Sequence, residues 1–218
     1  MRRVLVNAAD PDERALEEAA RVIRSGGVVA LPTDTLYGLA VDPFNAEAVA
    51  KVYAVKERPS GQALPLIAAE LAQVIDRFGP LPPHAEMLAA TFWPGPLTIL
   101  ITAPETLPAS VTGGTGLVGV RVPAHETARA LCRRCGCPLT ATSANVSGMP
   151  PLADPNDVWS ALGARVDCVL DAGPAPGGPP STIVDASGAG VHLVRQGVIA
   201  WTTIIETVRG LRLRAAAE

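Results

Sequence analysis

The stretch Asp10–Ala40, DPDERALEEAARVIRSGGVVALPTDTLYGLA, carries the pattern from which the fold is read. Its first half predicts a helix. Asp10 can cap it, Pro11 suits its first turn, and Glu13 completes a D-x-x-E box. Leu16, Ala19, Ala20 and Ile23 fall on one apolar stripe, and Gly26-Gly27 stop the helix. VVALP then reads as a buried strand whose end delivers the polar loop TDTLYG. A helix feeding a buried strand that ends in a polar loop is the repeating unit of a layered α/β domain.

The same alternation extends outward. NAEAVAKVYAVK reads as a second helix capped by Asn45, and LPLIAA, LTILIT and LVGVRVP read as strands. PAHETARALCRR is helical, LTATSA extended, and DCVLDAG, STIVDA and VHLVRQG are further strand candidates. Helical character resumes only in TTIIETVRG. Several strands follow one another in the second half, so the expected sheet is open, twisted and mixed, with flanking helices. No repeat or long linker divides the chain. The expectation is one domain over residues 1–208 and a frayed tail over 209–218.

With 218 residues, 48% of them apolar, the chain is long enough to bury a substantial core. A net charge of -3 argues against a generic nucleic-acid coat but not against a local anion site. MRRVLVNAADPD lacks the apolar run of a signal peptide, and no stretch is apolar enough to span a membrane. The cytoplasm is the expected compartment. Cys132, Cys135 and Cys137 in CRRCGC, together with Cys168, invite a zinc or redox reading. Ordinary thiols at a helix end and the following turn explain them more simply.

Three polar islands stand where elements end: PTDTLYG, KERPSG and TSANVSG. Thr33, Asp34 and Thr35 offer two hydroxyls and a carboxylate, and are also the residue types that build turns. Lys56 and Arg58 could hold a polyphosphate or simply interact with a helix C-terminus. Ser143 and Asn145 supply a hydroxyl and an amide for a phosphate or a base edge, though Asn also serves in plain turns. Arg121, within the apolar VGVRVPAH, requires a partner, either an internal carboxylate or an anionic ligand. Gly113–Gly119, GGTGLVG, is a cradle for an anion or a flexible turn. No Walker-type loop, no Gly-x-Ser-x-Gly elbow and no HExxH is present.

The ordered set GGVVALPTDTLYGLAVDPFN, KERPSG, FWPGPLTILI, VGVRVPAH, TSANVSG, STIVD and VRQG resembles the YrdC/Sua5 family, over about residues 15 to 200. The resemblance implies an α/β fold around a large, concave, positively charged cavity. It also implies L-threonylcarbamoyladenylate synthase activity: L-threonine, bicarbonate and ATP, with Mg2+, give threonylcarbamoyl-AMP and pyrophosphate. The product would pass to a separate transferase that completes N6-threonylcarbamoyladenosine at tRNA position 37. Direct contact with tRNA is an open expectation, and no membrane partner is implied.

By motif, Thr35, Ile67, Arg121, Ala141 and Ser181 would bind L-threonine. Lys56, Arg58, Gln62, Leu117, Ser143, Asn145, Pro151 and Arg195 would bind ATP, with Lys56 and Arg58 stabilising the reacting phosphates. Two positions depart from the family pattern. Gln62-Ala63 stands where a lysine or asparagine before proline is common, and Thr142 stands where the family often has proline. The chain resembles the short, single-domain form. Alternatives are a related carbamoyl-adenylate enzyme, as in hydrogenase maturation proteins, and a non-catalytic double-stranded RNA or tRNA-binding module. The low aromatic content (4%) disfavours the RNA module.

Overall fold

The computed structural model describes residues 2–59 and 61–215. In chain order the elements are β1 (Arg2–Leu5), α1 (Glu13–Arg24), β2 (Val29–Leu31), β3 (Gly38–Ala40), α2 (Ala46–Val55), β4 (Leu66–Ile67), α3 (Leu71–Phe78), α4 (Pro83–Phe92) and β5 (Leu97–Thr102). They continue with α5 (Ala109–Thr112), β6 (Leu117–Arg121), α6 (Glu126–Cys135), β7 (Leu139–Thr140), β8 (Thr142–Ser143), α7 (Pro155–Leu162), β9 (Cys168–Asp171), β10 (Thr182–Asp185), β11 (His192–Arg195) and α8 (Trp201–Ala215).

The mixed α/β architecture matches expectation, but the strands divide into two sheets. One has the order β1-β9-β2-β3-β8, the other β11-β10-β5-β6-β4-β7, and each contains parallel and antiparallel neighbours. A single residue, Ala141, separates β7 of the second sheet from β8 of the first. The chain therefore changes sheets within LTATSA, which read as one extended piece.

Helix α1 begins two residues later than expected. Asp12, not Asp10, is the cap, and its carboxylate accepts from Arg14 N and Ala15 N at 2.8 and 3.1 Å. Asp10 is diverted because its own amide donates to Asn7 Oδ1. Asn45 caps α2 as expected, accepting from Glu47 N and Ala48 N at 3.1 Å each. Helical structure resumes earlier than the sequence reading held, at α7, where Asp154 accepts from Asn156 N and Pro155 opens the first turn. Helices α3 and α4 and strands β1 and β3 were also unanticipated. Helix α8 runs to Ala215, so residues 209–215 of the 209–218 tail expected to fray are helical, and 216–218 lie outside the described residues.

Strand β2 explains the continuous apolar run VVAL. Val29 and Leu31 pack beneath α1 and α6, against Ala19, Ile23 and Leu131. Val28 and Ala30 face the opposite core, with Val49, Val52 and Leu66. Both faces are covered, so alternation gives no polar positions. Fully burying each Val or Leu contributes about 1.5–3 kcal/mol. No helix among the described residues is long and apolar enough to cross a membrane.

Candidate functional site

A cavity of about 520 Å³ lies where the two sheets meet. Thr98, Leu100, Gly119, Arg121 and Ile183 of β5, β6 and β10 form one side. Gly38 of β3, Thr142 and Ser143 of β8 and the Thr33–Tyr37 loop form the other. Among the described residues the lining includes three arginines, Arg58, Arg121 and Arg195, and no carboxylate. Such a surface is built to receive an anion. A larger groove of about 1180 Å³ runs along α1, but its Arg2–Glu18 and Arg21–Glu17 pairs are already matched at the surface. None of the sequence-predicted residues lines that groove.

Arg121, at the end of β6, ion-pairs with Asp34, and both side chains are almost fully buried. The internal carboxylate considered in the sequence is therefore present, yet Arg121 still reaches the cavity, and its Nε is buried without a partner. Burial pushes the Arg121 pKa down, and Asp34 opposes the shift. Arg195 approaches from the edge strand β11 and donates from Nη2 to Ser181 O at 2.9 Å. Its pKa is lowered by burial and then by the like charge of Arg121. Two mutually repelling cations on one wall raise the affinity of that wall for a negative group.

The hydroxyls are fixed by local chemistry. Thr33 donates to Leu36 O at 2.7 Å and accepts from Thr35 N and Leu36 N, which closes the TDTL turn. The Thr33 and Thr35 hydroxyls lie 3.1 Å apart. Ser181 Oγ lies 2.8 Å from Thr98 Oγ1, tying the STIVD segment to β5. Gly177 N donates to Thr35 O at 2.8 Å, so the Gly/Pro-rich segment before Ser181 is bound to the TDT loop.

Lys56 sits behind the cavity wall. It closes α2, and its ammonium donates to Ser143 O (2.6 Å), Asn145 O (3.0 Å) and Asn145 Oδ1 (3.0 Å). All three of its hydrogens are thus used. Ser143 Oγ donates to the same Asn145 Oδ1 at 2.6 Å. Burial, then Arg58, lowers the Lys56 pKa to about 8. Glu57 adopts a left-handed conformation (φ 50) and turns out to pair with Arg165, while Arg58 turns in to the cavity.

Of the sequence-predicted residues, Thr35, Arg58, Ile67, Arg121, Ala141, Ser143, Pro151, Ser181 and Arg195 line one cavity. Lys56 and Asn145 lie behind it, and Gln62 and Leu117 are not among its lining residues. Asp34 enters through Arg121. Apart from Arg121, and Gly119 at the end of the stretch considered as an anion cradle, the far side of the cavity was missed. Its Thr98 and Ile183 are cross-strand partners, as are Leu100 and Gly119. Period-2 alternation in LTILIT puts Thr98 and Leu100 on one face, but only strand register joins them to the rest.

The cysteines are free thiols. Burial pushes Cys132 well up, Cys135 to about 12, and Cys137 and Cys168 each to about 11. Protonated thiols are poor nucleophiles and poor ligands. For magnesium, the cavity offers hydroxyls but no carboxylate, and no metal-holding group of three His, Cys, Asp or Glu exists among the described residues. Among the described residues no magnesium cage is present, and a hard cation in the cavity would depend on oxygens that a ligand brings.

Comparison with known proteins identifies the family. The Sua5/YciO/YrdC family, described as "Telomere recombination", matches residues 21–197. A threonylcarbamoyl-AMP synthase of Pyrococcus abyssi is 34% identical over 98% of this chain and 63% of its own length. One of Bacillus subtilis is 38% identical over 84% of this chain and 54% of its own. The chain thus spans a little over half the length of these two curated relatives. The crystal structure of P. abyssi Sua5 complexed with L-threonine superposes with a TM-score of 0.88 at 34% identity, over 94% of this chain and 60% of that one. With the family match extending over most of the residues that build the cavity, the chain belongs to the Sua5/YciO/YrdC family.

Proposed function

We propose that the chain is an L-threonylcarbamoyladenylate synthase, making threonylcarbamoyl-AMP and pyrophosphate from L-threonine, bicarbonate and ATP. The observation that carries this reading is the convergence of Arg58, Arg121 and Arg195 on a hydroxyl-bearing cavity with no carboxylate among its described lining residues. The names of the relatives and the L-threonine complex of P. abyssi Sua5 support the choice of substrates.

At the amino-acid end, Arg121 takes the threonine carboxylate, Thr35 and Ser181 contribute polar contacts, and Ile67 and Ala141 flank the side chain. At the nucleotide end, Arg58, Ser143 and Arg195 meet phosphate or ribose oxygens, with Pro151 alongside. Lys56 and Asn145 hold the Ser143 segment in place. Bicarbonate takes up a proton and loses water to give CO2. The neutral threonine amine then bonds to its carbon, a C=O pair moves onto oxygen and the nitrogen releases a proton, leaving the carbamate. A carbamate oxygen then bonds to the α-phosphorus, and the bond to the bridging oxygen breaks with its electron pair on pyrophosphate. The reaction needs alignment and charge stabilisation rather than a side-chain nucleophile. Magnesium, carried by ATP, supplies further neutralisation of phosphate charge. Closing the cavity to water would protect the labile carbamate.

The product would feed a cytoplasmic tRNA threonylcarbamoyltransferase, with any contact to tRNA made at that handover. The test combines purified protein with L-threonine, bicarbonate, magnesium and ATP labelled at the γ-phosphate. Threonine-dependent labelled pyrophosphate and a threonylcarbamoyl-AMP peak are expected. Tight RNA binding with neither product would replace this reading with a binding module.

A further inference from the structure

Between α2 and β4, the segment Gly61–Ala63 runs from Arg58 to the strand that carries Ile67, and all three of its residues are exposed. We infer that Gly113 and Tyr53 are positioning residues that set this segment, and with it the Arg58 side of the cavity, for the nucleotide. The inference rests on the synthase reading and deepens it. It also gives the Gly113–Gly119 stretch a role other than an anion cradle.

Gly113 closes the short helix α5 with φ 62. A Cβ there would stand 2.8 Å from Gly61 O and 2.9 Å from Ala63 N. Both are backbone atoms, so no rotamer change relieves the clash, and the segment itself must move. Tyr53 acts from the other side. Its hydroxyl is 2.7 Å from Gln62 O and 2.7 Å from Ser110 O, sharing one hydrogen between the segment and α5. Leu64 N donates to Val111 O at 2.9 Å, completing the seam. Ala63 and Arg58 both line the cavity, and Arg58 Nη2 points to Ala63 O. Moving the segment therefore moves the cavity wall nearest Arg58. On the threonine side, Arg121 at the end of β6 is held by Asp34, and Ser181, just before β10, by Thr98 and Arg195, so these polar groups are anchored away from the seam.

Gly114 supplies an internal control. It is also left-handed (φ 78), but a Cβ there meets nothing within 4 Å. Gly114→Ala introduces comparable backbone strain without the intrusion. The experiment measures KM for ATP and for L-threonine, kcat, and hydrogen exchange of residues 61–64 in wild type, Gly113→Ala, Gly114→Ala and Tyr53→Phe. Gly113→Ala is expected to raise KM for ATP by ~10-fold or more, leave KM for threonine near wild type and accelerate exchange in the segment. Tyr53→Phe shifts the same readouts less, and Gly114→Ala leaves them near wild type. Equal effects of Gly113→Ala and Gly114→Ala, or equal losses for both substrates, overturn the inference. If Gly113→Ala fails to fold, Tyr53→Phe alone must show the ATP-selective shift, and an unchanged KM for ATP in it overturns the inference. A wild-type protein that neither binds ATP nor releases pyrophosphate defeats the synthase reading itself, which separates the two failures.

Discussion

The Lys56 ammonium lies 2.6 Å from the carbonyl oxygen of Ser143, so a cation on α2 fixes the backbone of β8. Lys56→Ala strips Asn145 O of its charged donor and takes one of two donors from Ser143 O and from Asn145 Oδ1, which keep Asn145 N and Ser143 Oγ. Losing a charged donor to buried acceptors costs about 1–3 kcal/mol. Lys56→Ala should lower unfolding free energy by that amount and reduce turnover, whereas Arg58→Ala should reduce turnover with little loss of stability. Urea unfolding beside pyrophosphate release checks both, and a fully stable but inactive Lys56→Ala would argue for direct phosphate contact instead.

The depressed pKa of Lys56 predicts opposite pH trends for stability and activity. In the folded protein the group titrates at about 8, below its ordinary value. Below pH 8 both folded and unfolded chains hold the proton, and the burial penalty is fully present. Above pH 8 the unfolded chain binds more protons, so this group's contribution to stability rises until the ordinary lysine value is passed. Deprotonation also removes the charge and one donor behind Ser143. Turnover should therefore decline above about pH 8, without a parallel loss of stability from this group. A flat kcat/KM profile through that range would contradict the assignment.

The buried Asp34–Arg121 pair makes a further prediction. Asp34→Ala strands a buried guanidinium and should cost roughly 3 kcal/mol or more. Arg121→Ala should abolish threonine binding while leaving ATP binding measurable by calorimetry. A double-mutant cycle checks the coupling: removing both partners should destabilise less than the sum of the single losses.

At Gly119, a Cβ would stand 3.0 Å from Thr98 Cγ2 and 3.2 Å from Leu100 Cδ2, both lining the cavity. Gly119→Ala should push these groups aside at a cost of about 1–3 kcal/mol. Threonine-dependent turnover should fall with it, as read by steady-state kinetics and thermal unfolding.

With raised thiol pKa values, the four cysteines should react slowly with a disulfide reagent in the native protein and rapidly after denaturation. Cys135→Ser and Cys137→Ser should retain activity, and chelation of zinc should leave stability unchanged. Loss of folding on chelation would restore the metal reading.

The sequence made legible what depends on neighbours along the chain. Asn45 is a cap with no competitor nearby, and it caps. Asp10 and Asp12 flank Pro11 and both fit the pattern, so the choice rested on Asn7 holding the Asp10 amide. Asp154-Pro155 carried the signal for α7 but sits in a Pro-rich stretch that reads as loop. Helix α3 buries only Val74 and shows little core pattern. Of the nine sequence-predicted lining residues, Thr35, Arg58 and Ser143 stand in the polar islands, Arg121 in an apolar strand, and the others come from the family resemblance, whereas Thr98, Leu100 and Ile183 join them only through strand register. The ligands of Lys56 include two backbone oxygens, which a reading of side-chain types does not reveal.

Ala141 is a joint as much as a wall. On one side of it Thr140 belongs to the six-stranded sheet, and on the other Thr142 belongs to the five-stranded sheet. Its amide is pinned to Pro65 O at 2.8 Å. A molecule resting against Ala141, Ser143 and Arg121 at once would bridge the sheets as a rivet does two plates. Substrate binding and resistance of the two sheets to separation then become a single quantity, and heat stability a measure of occupancy.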